Sequence, residues 1–355
     1  MKSPDSRTET GMLFPRKRLF LIFLLLFSLL FILFSLDLFL GSVYLRPGEV
    51  IKALFSESES YSQLILLKFR LPKAMTALLV GAGLSLSGLQ MQTVFRNPLA
   101  GPDVLGITSG ASLGVAFVIL GFSFAMPALS ISGLGNWILV AAAWAGAGLV
   151  MMLILVLATR IKDIMTILIL GIMLSSGISA IVILLQYFSS ESLLKSYVIW
   201  TMGSLGNLTS GQLLVLAISV SAGIVLSLFS SKMLNALLLG ESYAGSIGLN
   251  VKFARIIVFL CTSILAGSVT AFCGPIGFIG IAVPHIARIL FRTSDHKVLI
   301  PGTLLIGGSV LLFSDIVAQL PGSEKVLPLN AVTSLIGIPV VIWVIMNNRK
   351  YTGIY

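Results

Sequence analysis

Ten apolar stretches, each close to the length of a bilayer-crossing helix, constrain this chain more than any other feature. A helix needs about 20 apolar residues to cross the hydrocarbon core. The stretches run at roughly 19–41, 72–95, 103–121, 136–159, 164–188, 212–231, 254–273, 276–292, 298–318 and 328–347. The seventh and eighth are separated only by Gly274-Pro275. Charged residues make up 10% of the chain and hydrophobic ones 57%, against about 25% charged in a soluble domain. This excludes the water-soluble classes and points to an all-α polytopic membrane protein. The first stretch has a basic start, as a signal peptide does. Leu19 to Leu36 is nevertheless too long for an h-region and no small-x-small site follows, so it reads as a retained first span.

The charge distribution orients the spans. The net charge of +10 sits in short clusters between apolar runs, where membrane orientation explains it without nucleic acid. With both termini in the cytoplasm, 16 of the 23 basic residues lie inside and seven outside, as the positive-inside rule requires. The chain then divides into a cytoplasmic tail (1–18), one transmembrane domain (19–348) and a short cytoplasmic tail (349–355). Cys261 and Cys273 are twelve residues apart, about 18 Å along a helix, too far to bridge.

Small residues mark where helices meet, because lipid supplies no hydrophobic drive for their association. Gly106, Gly110 and Gly114 recur at steps of four in the third span and predict a close crossing. Gly171, Ser175 and Ser179 recur likewise in the fifth, as a packing face or as a weakly polar wall. Asp37 and Asp315 fall near outer helix ends, where water is within reach. In the eighth span His285, Arg288 and Arg292 share one face, near a helix C-terminus whose dipole favours cations. Pro284 crowds the carbonyl of Gly280, where a kink forms at little cost.

Chemistry is sparse. No Gly-Lys dipeptide is present, so no phosphate-cradling loop of the Walker type exists in this chain. No metal-ligand cluster or nucleophile–base constellation is visible among two His and two Cys. The chain itself is therefore expected to bind no cofactor and to catalyse nothing. An ion-coupled secondary transporter would need acidic groups at mid-membrane in broken helices, and a membrane enzyme would need a buried catalytic cluster. Neither feature stands out.

Five ordered stretches carry a resemblance. They are "FRLPKAMTALLVGAGLSLSG", "GLQMQTVFRNPLAGPDVLGITSGASLG", "LNALLLGESYAGSIGLNV", "CGPIGFIGIAVPHIARIL" and "LNAVTSLIGIPVVIWVIM". Together, over roughly residues 40–348, they resemble the iron-complex and cobalamin permease family of ABC importers. The resemblance implies ten spans per subunit and a translocation path between two permease copies, identical or paralogous. It also implies two ATP-binding subunits, which hold the ATP and Mg, and a periplasmic or lipid-anchored binding protein that delivers cargo. The implied location is the bacterial cytoplasmic (inner) membrane. The implied cargo is a ferric siderophore first, haem or cobalamin next.

Residue by residue, the resemblance implies ATPase coupling by Glu241, Ala244, Gly245 and Gly248, in a cytoplasmic loop at about 232–253. It implies docking of the binding protein by Arg70 and Lys73, with Lys325 in a further outer loop. The inner constriction falls at Lys162 to Met165, hence Asp163, Ile164 and Met165; the stripe Gly171, Ser175 and Ser179, read from its spacing alone, is the candidate wall of the path. Asn97, Pro98, Gly277, Gly280, Pro284, His285 and Arg288 belong to its structural motifs.

Overall fold

A computed structural model of the chain describes residues 16–41, 48, 61–121, 135–161, 163–206, 208–319 and 326–347. Among them regular structure is helical throughout. We number the helices α1 (Arg16–Phe39), α2 (Tyr61–Val94), α3 (Ile107–Gly121), α4 (Gly135–Arg160), α5 (Ile164–Tyr187) and α6 (Glu191–Thr201). They continue as α7 (Ser210–Leu238), α8 (Glu241–Ser246), α9 (Val251–Cys273), α10 (Ile279–Phe291), α11 (His296–Ala318) and α12 (Leu329–Asn347).

All ten apolar stretches are helical, but the count of ten full spans is corrected. Among the described residues, seven helices are long and apolar enough to cross a membrane, namely α1, α2, α4, α5, α7, α9 and α11. The apolar helices Ile107–Gly121, Ile279–Phe291 and Leu329–Trp343 are shorter. The physical reason is clearest for α3 and α10, each of which begins inside the bundle. The chain leaves α9 at Gly274 (φ 74°), takes a non-helical path to Phe278 (φ 66°) and only then winds up as α10. A Cβ on Gly280 would come within 3.0 Å of the Leu84 carbonyl oxygen. Leu84 lies about 15 Å before the end of α2, at 1.5 Å per residue. Likewise a short 3₁₀ turn, Pro102–Leu105, precedes α3, and Gly106 (φ 75°) lies against Val150 of α4 and Ser175 of α5.

α2 is the core of the molecule. Eighteen of its residues between Ala74 and Val94 are buried, and it packs against α11, α10 and α7. Backbones touch where side chains vanish. A Cβ on Gly81 would stand 2.2 Å from the Gly307 carbonyl oxygen of α11, and one on Gly88 would stand 1.7 Å from that of Gly280. The crossing predicted from Gly110 and Gly114 is present: Cβ atoms there would lie 2.5 and 2.0 Å from the carbonyls of Gly146 and Ala142 in α4.

Among the described residues, polar side chains inside the bundle are hydrogen-bonded, as burial requires, apart from the Thr303 hydroxyl. Gln90 donates to the Ser227 hydroxyl at 2.6 Å and accepts from Thr262 at 3.0 Å. Thr93 and His296 share a hydrogen bond of 2.8 Å, and Asn235 joins the His296 ring at 2.7 Å. Cys261 and Cys273 are free and buried.

Candidate functional site

Three places gather the residues singled out in the sequence. The first is the segment for which the resemblance implies ATPase coupling. α8 is set off by two glycines at positive φ, Gly240 (108°) and Gly248 (86°), which turn the chain sharply on both sides. Ala244 is fully buried and anchors the segment, while Tyr243 and Ile247 project outward at 50% and 58% exposure. Gly245 and Gly248 have open space where a Cβ would be. Glu241 points back rather than out and forms a two-pronged ion pair with Arg255 of α9, one prong at 2.7 Å from Nε to Oε1. Arg255 is almost fully buried and also donates to the Ile161 carbonyl at 3.4 Å. Sequence reasoning missed Arg255. Its only signal was a second basic residue, after Lys252, in the first turns of a largely apolar helix.

Ile161 adjoins the expected constriction. Asp163 caps α5 by accepting from the Thr166 amide at 2.9 Å, the Thr166 hydroxyl at 2.7 Å and the Met165 amide at 3.3 Å. The Thr166 hydroxyl and these amides hold its carboxyl below the ordinary carboxylate range. Met165 is 43% exposed. Lys162 lies outside the described residues.

The second place is an open trough of about 580 Å³ beside α5, lined by Ile172, Ser175, Ser176, Ser179 and Ile183, with Asp103 and Val104 from the turn before α3. Ser175 and Ser179 thus face it together. Gly171 does not: it is buried where α5 meets the Val104 carbonyl, 2.2 Å from its missing Cβ. Asp103 was not anticipated. It is exposed and accepts a hydrogen bond from Thr108.

The third place corrects the outer cluster. Arg70 was expected to face water as a docking residue, and Asp37 and Asp315 to reach it. All three are buried, at 9%, 2% and 3% exposure. Residues Leu66–Arg70 form a π-helical turn in α2. Arg70 donates at 2.8 Å to the carbonyls of Leu38 and Phe39, at the end of α1. Lys73 pairs with Asp315 at 3.0 Å, and Gln319 donates at 2.9 Å to both Asp37 and Asp315. The physical reason is mutual compensation: charges of opposite sign on α1, α2 and α11 are cheaper to bury together than singly. Lys325 lies outside the described residues.

The structural motifs converge at the break before α10. The Asn97 side chain closes its turn by accepting from the Leu99 amide at 2.9 Å. The Pro98 carbonyl meets His285 Nε2 at 2.7 Å. Gln92 donates to the Ile281 carbonyl at 3.1 Å and accepts from Arg288. Arg288 is therefore turned into the bundle rather than toward headgroups. The Gly277 amide donates to Asn330 at 3.0 Å. α10 continues as a helix through Pro284. Among the described residues no group of His, Cys, Asp and Glu is arranged to hold a metal ion.

Comparison with known proteins agrees with this architecture. Residues 29–347 match the FecCD transport family. The chain is 35% identical over 328 residues to the vitamin B12 import system permease protein BtuC of Salmonella paratyphi A, covering 92% of this chain and 95% of that protein. The same protein of Salmonella typhimurium strain LT2 matches equally. A solved structure described as an inward-facing conformation of a metal-chelate type ABC transporter superposes with a TM-score of 0.79 at 30% identity, over 92% of this chain and 99% of that one. PsaBC from Streptococcus pneumoniae, in complex with Fab, shares the fold at a TM-score of 0.52 and 16% identity, over 79% of this chain and 92% of that one. The chain belongs to the FecCD transport family, as a multi-pass permease of the bacterial inner membrane.

Proposed function

We propose that this permease carries an iron complex of the ferric siderophore class along the trough beside α5, with ATP hydrolysed by partner subunits docked on α8. The observation that carries the reading is Asp103. A carboxylate facing hydrocarbon costs about 2.5–3.5 kcal/mol even on the mildest scale. An exposed acidic side chain beside a row of hydroxyls, part-way along the apolar helix α5, therefore belongs to a wet surface. Corrinoid is the second reading, favoured by the vitamin B12 permeases at 35% identity; haem is the third.

In this reading two copies of the chain, or this chain and a paralogue, face each other across their α5 helices. Ten crossings place both termini in the cytoplasm, with α3 and α10 serving as short, interrupted spans. Tyr243 and Ile247 seat in an ATPase cleft, and Arg255 transmits its movement from Glu241 to the α4–α5 connection. A binding protein docks on the outer face. Arg70 and Lys73 shape that face from within, which is a different role from direct contact.

Uptake of radio-iron siderophore complexes and radio-cobalt cyanocobalamin tests the reading, in cells where this importer is the sole route and its cognate partners are present. Iron uptake that requires this permease and ATP is the expected result. Corrinoid uptake alone would move the second reading to first place.

A further inference from the structure

The chemistry of the trough can be taken further, on the reading that it is the translocation path. Its polar side chains present acceptors. The Ser175 hydroxyl donates its proton to the Gly171 carbonyl at 3.0 Å, Ser176 to Ile172 at 3.0 Å and Ser179 to Ser175 at 2.8 Å. Each hydroxyl has spent its single O–H on its own helix, so what it turns to the cavity is lone pairs. The Thr108 hydroxyl is spent in the same way on Asp103. Asp103 adds a carboxylate, and no Lys, Arg or His lines the trough among the described residues. The remaining wall is apolar, as at Ile172 and Ile183. A low-dielectric wall carrying charge of one sign focuses its field into the cavity.

We infer that the trough selects by charge. It passes metal chelates that are neutral or cationic and carry N–H or O–H donors on their outer surface, and it rejects polyanionic ones; Asp103 is the residue that sets the preference. A second copy facing the first would place a second Asp103 on the same path and reinforce the field. A tris-catecholate iron(III) trianion meets no donor on this wall and two like charges. A trihydroxamate complex or a corrinoid with outward amides meets acceptors.

The test uses the full-length permease in membrane vesicles, with Ser179→Cys as a reporter one turn along from Ser175 and Ser176. Cys261 and Cys273 are buried, and the parent protein measures their background. The rates of modification by a cationic (ethyltrimethylammonium) and an anionic (ethylsulfonate) methanethiosulfonate reagent are compared, each normalised to a free small thiol. The expected cationic preference is about tenfold, at the lower end of what a focused single-sign field produces. It should fall toward unity in Asp103→Asn and return in Asp103→Glu. Labelling by both reagents with a ratio unmoved by Asp103→Asn would overturn the charge filter and leave the aqueous path standing. Absence of labelling by either reagent would remove the path, and the filter with it. In whole cells, wild-type uptake of a tris-catecholate trianion as fast as a neutral trihydroxamate complex would also overturn the inference.

Discussion

Glu241 and Arg255 face each other across the turn between α8 and α9, and the guanidinium grips both carboxylate oxygens. Arg255 is buried and its side chain reaches on to Ile161, so the pair ties α8 to the entrance of α5. This fixes α8 in place rather than leaving it a loose loop.

The pair is expected to be needed for coupling more than for folding. Arg255→Gln leaves one carboxylate unmatched at a site where Glu241 is 30% exposed. The cost should be about 1–3 kcal/mol, below that of a fully buried pair. Transport should fall at least tenfold while basal ATP hydrolysis by the assembled complex persists. Exchanging the two residues, Glu241→Arg with Arg255→Glu, should restore part of the transport. Unchanged transport in Arg255→Gln would assign the pair to local packing alone.

Glycines in this bundle are expected to divide sharply by what their Cβ would meet. Gly88→Ala drives a methyl group into the backbone of Gly280, a contact of 1.7 Å that no side-chain rotation relieves. Overpacking of this kind costs about 1–3 kcal/mol or more. Gly177→Ala on α5 meets nothing within 4 Å and should be neutral. Thermal unfolding in detergent, followed by size exclusion, compares the two directly. Equal stability of the variants would contradict the described α2–α10 packing.

At the outer cluster, Lys73→Met is expected to destabilise by several kcal/mol, because Asp315 is left buried without its cation. Lys73→Met with Asp315→Leu should cost much less than the sum of the single changes, since the pair is removed whole. Arg70→Glu should lower the amount of folded protein, because its carboxylate would meet the Leu38 and Phe39 carbonyls. A well-folded Arg70→Glu protein that has lost only its affinity for the binding protein would return Arg70 to a docking role.

Both termini are expected to lie in the cytoplasm, from the 16 to 7 split of basic residues. Asp5→Cys and Gly353→Cys should resist an impermeant thiol reagent in intact cells and react after permeabilisation. Labelling of either from outside would refute the ten-crossing arrangement. In the same orientation α8 is expected to face the ATPase. Gly248→Trp should therefore block uptake while the protein still reaches the membrane: no atom lies within 4 Å of a Cβ there, and the strain of a side chain at φ 86° falls on one exposed turn. Normal uptake with normal ATPase association would remove Gly248 from the coupling contact.

Hydrophobic run length, glycine spacing and the placement of Lys and Arg are local quantities, and by themselves they determined the helical class, the membrane setting and a close crossing at Gly110 and Gly114, though not that α4 makes it. Each depends on what lipid or water does to one stretch of chain at a time. The sequence could not tell a full span from an interrupted one at Gly274–Phe278, because an apolar run reads the same whether its backbone is wound or extended. It could not pair Arg255 with Glu241, Lys73 with Asp315, or Arg70 with the end of α1. A charge near a span end is equally compatible with water and with a partner on another helix. Asp103 lies in a turn, and only the position of α5 beside it turns an ordinary loop side chain into the acidic group of a cavity. Those decisions belong to tertiary structure, because the cost of an ion depends on which groups surround it and not on its neighbours along the chain.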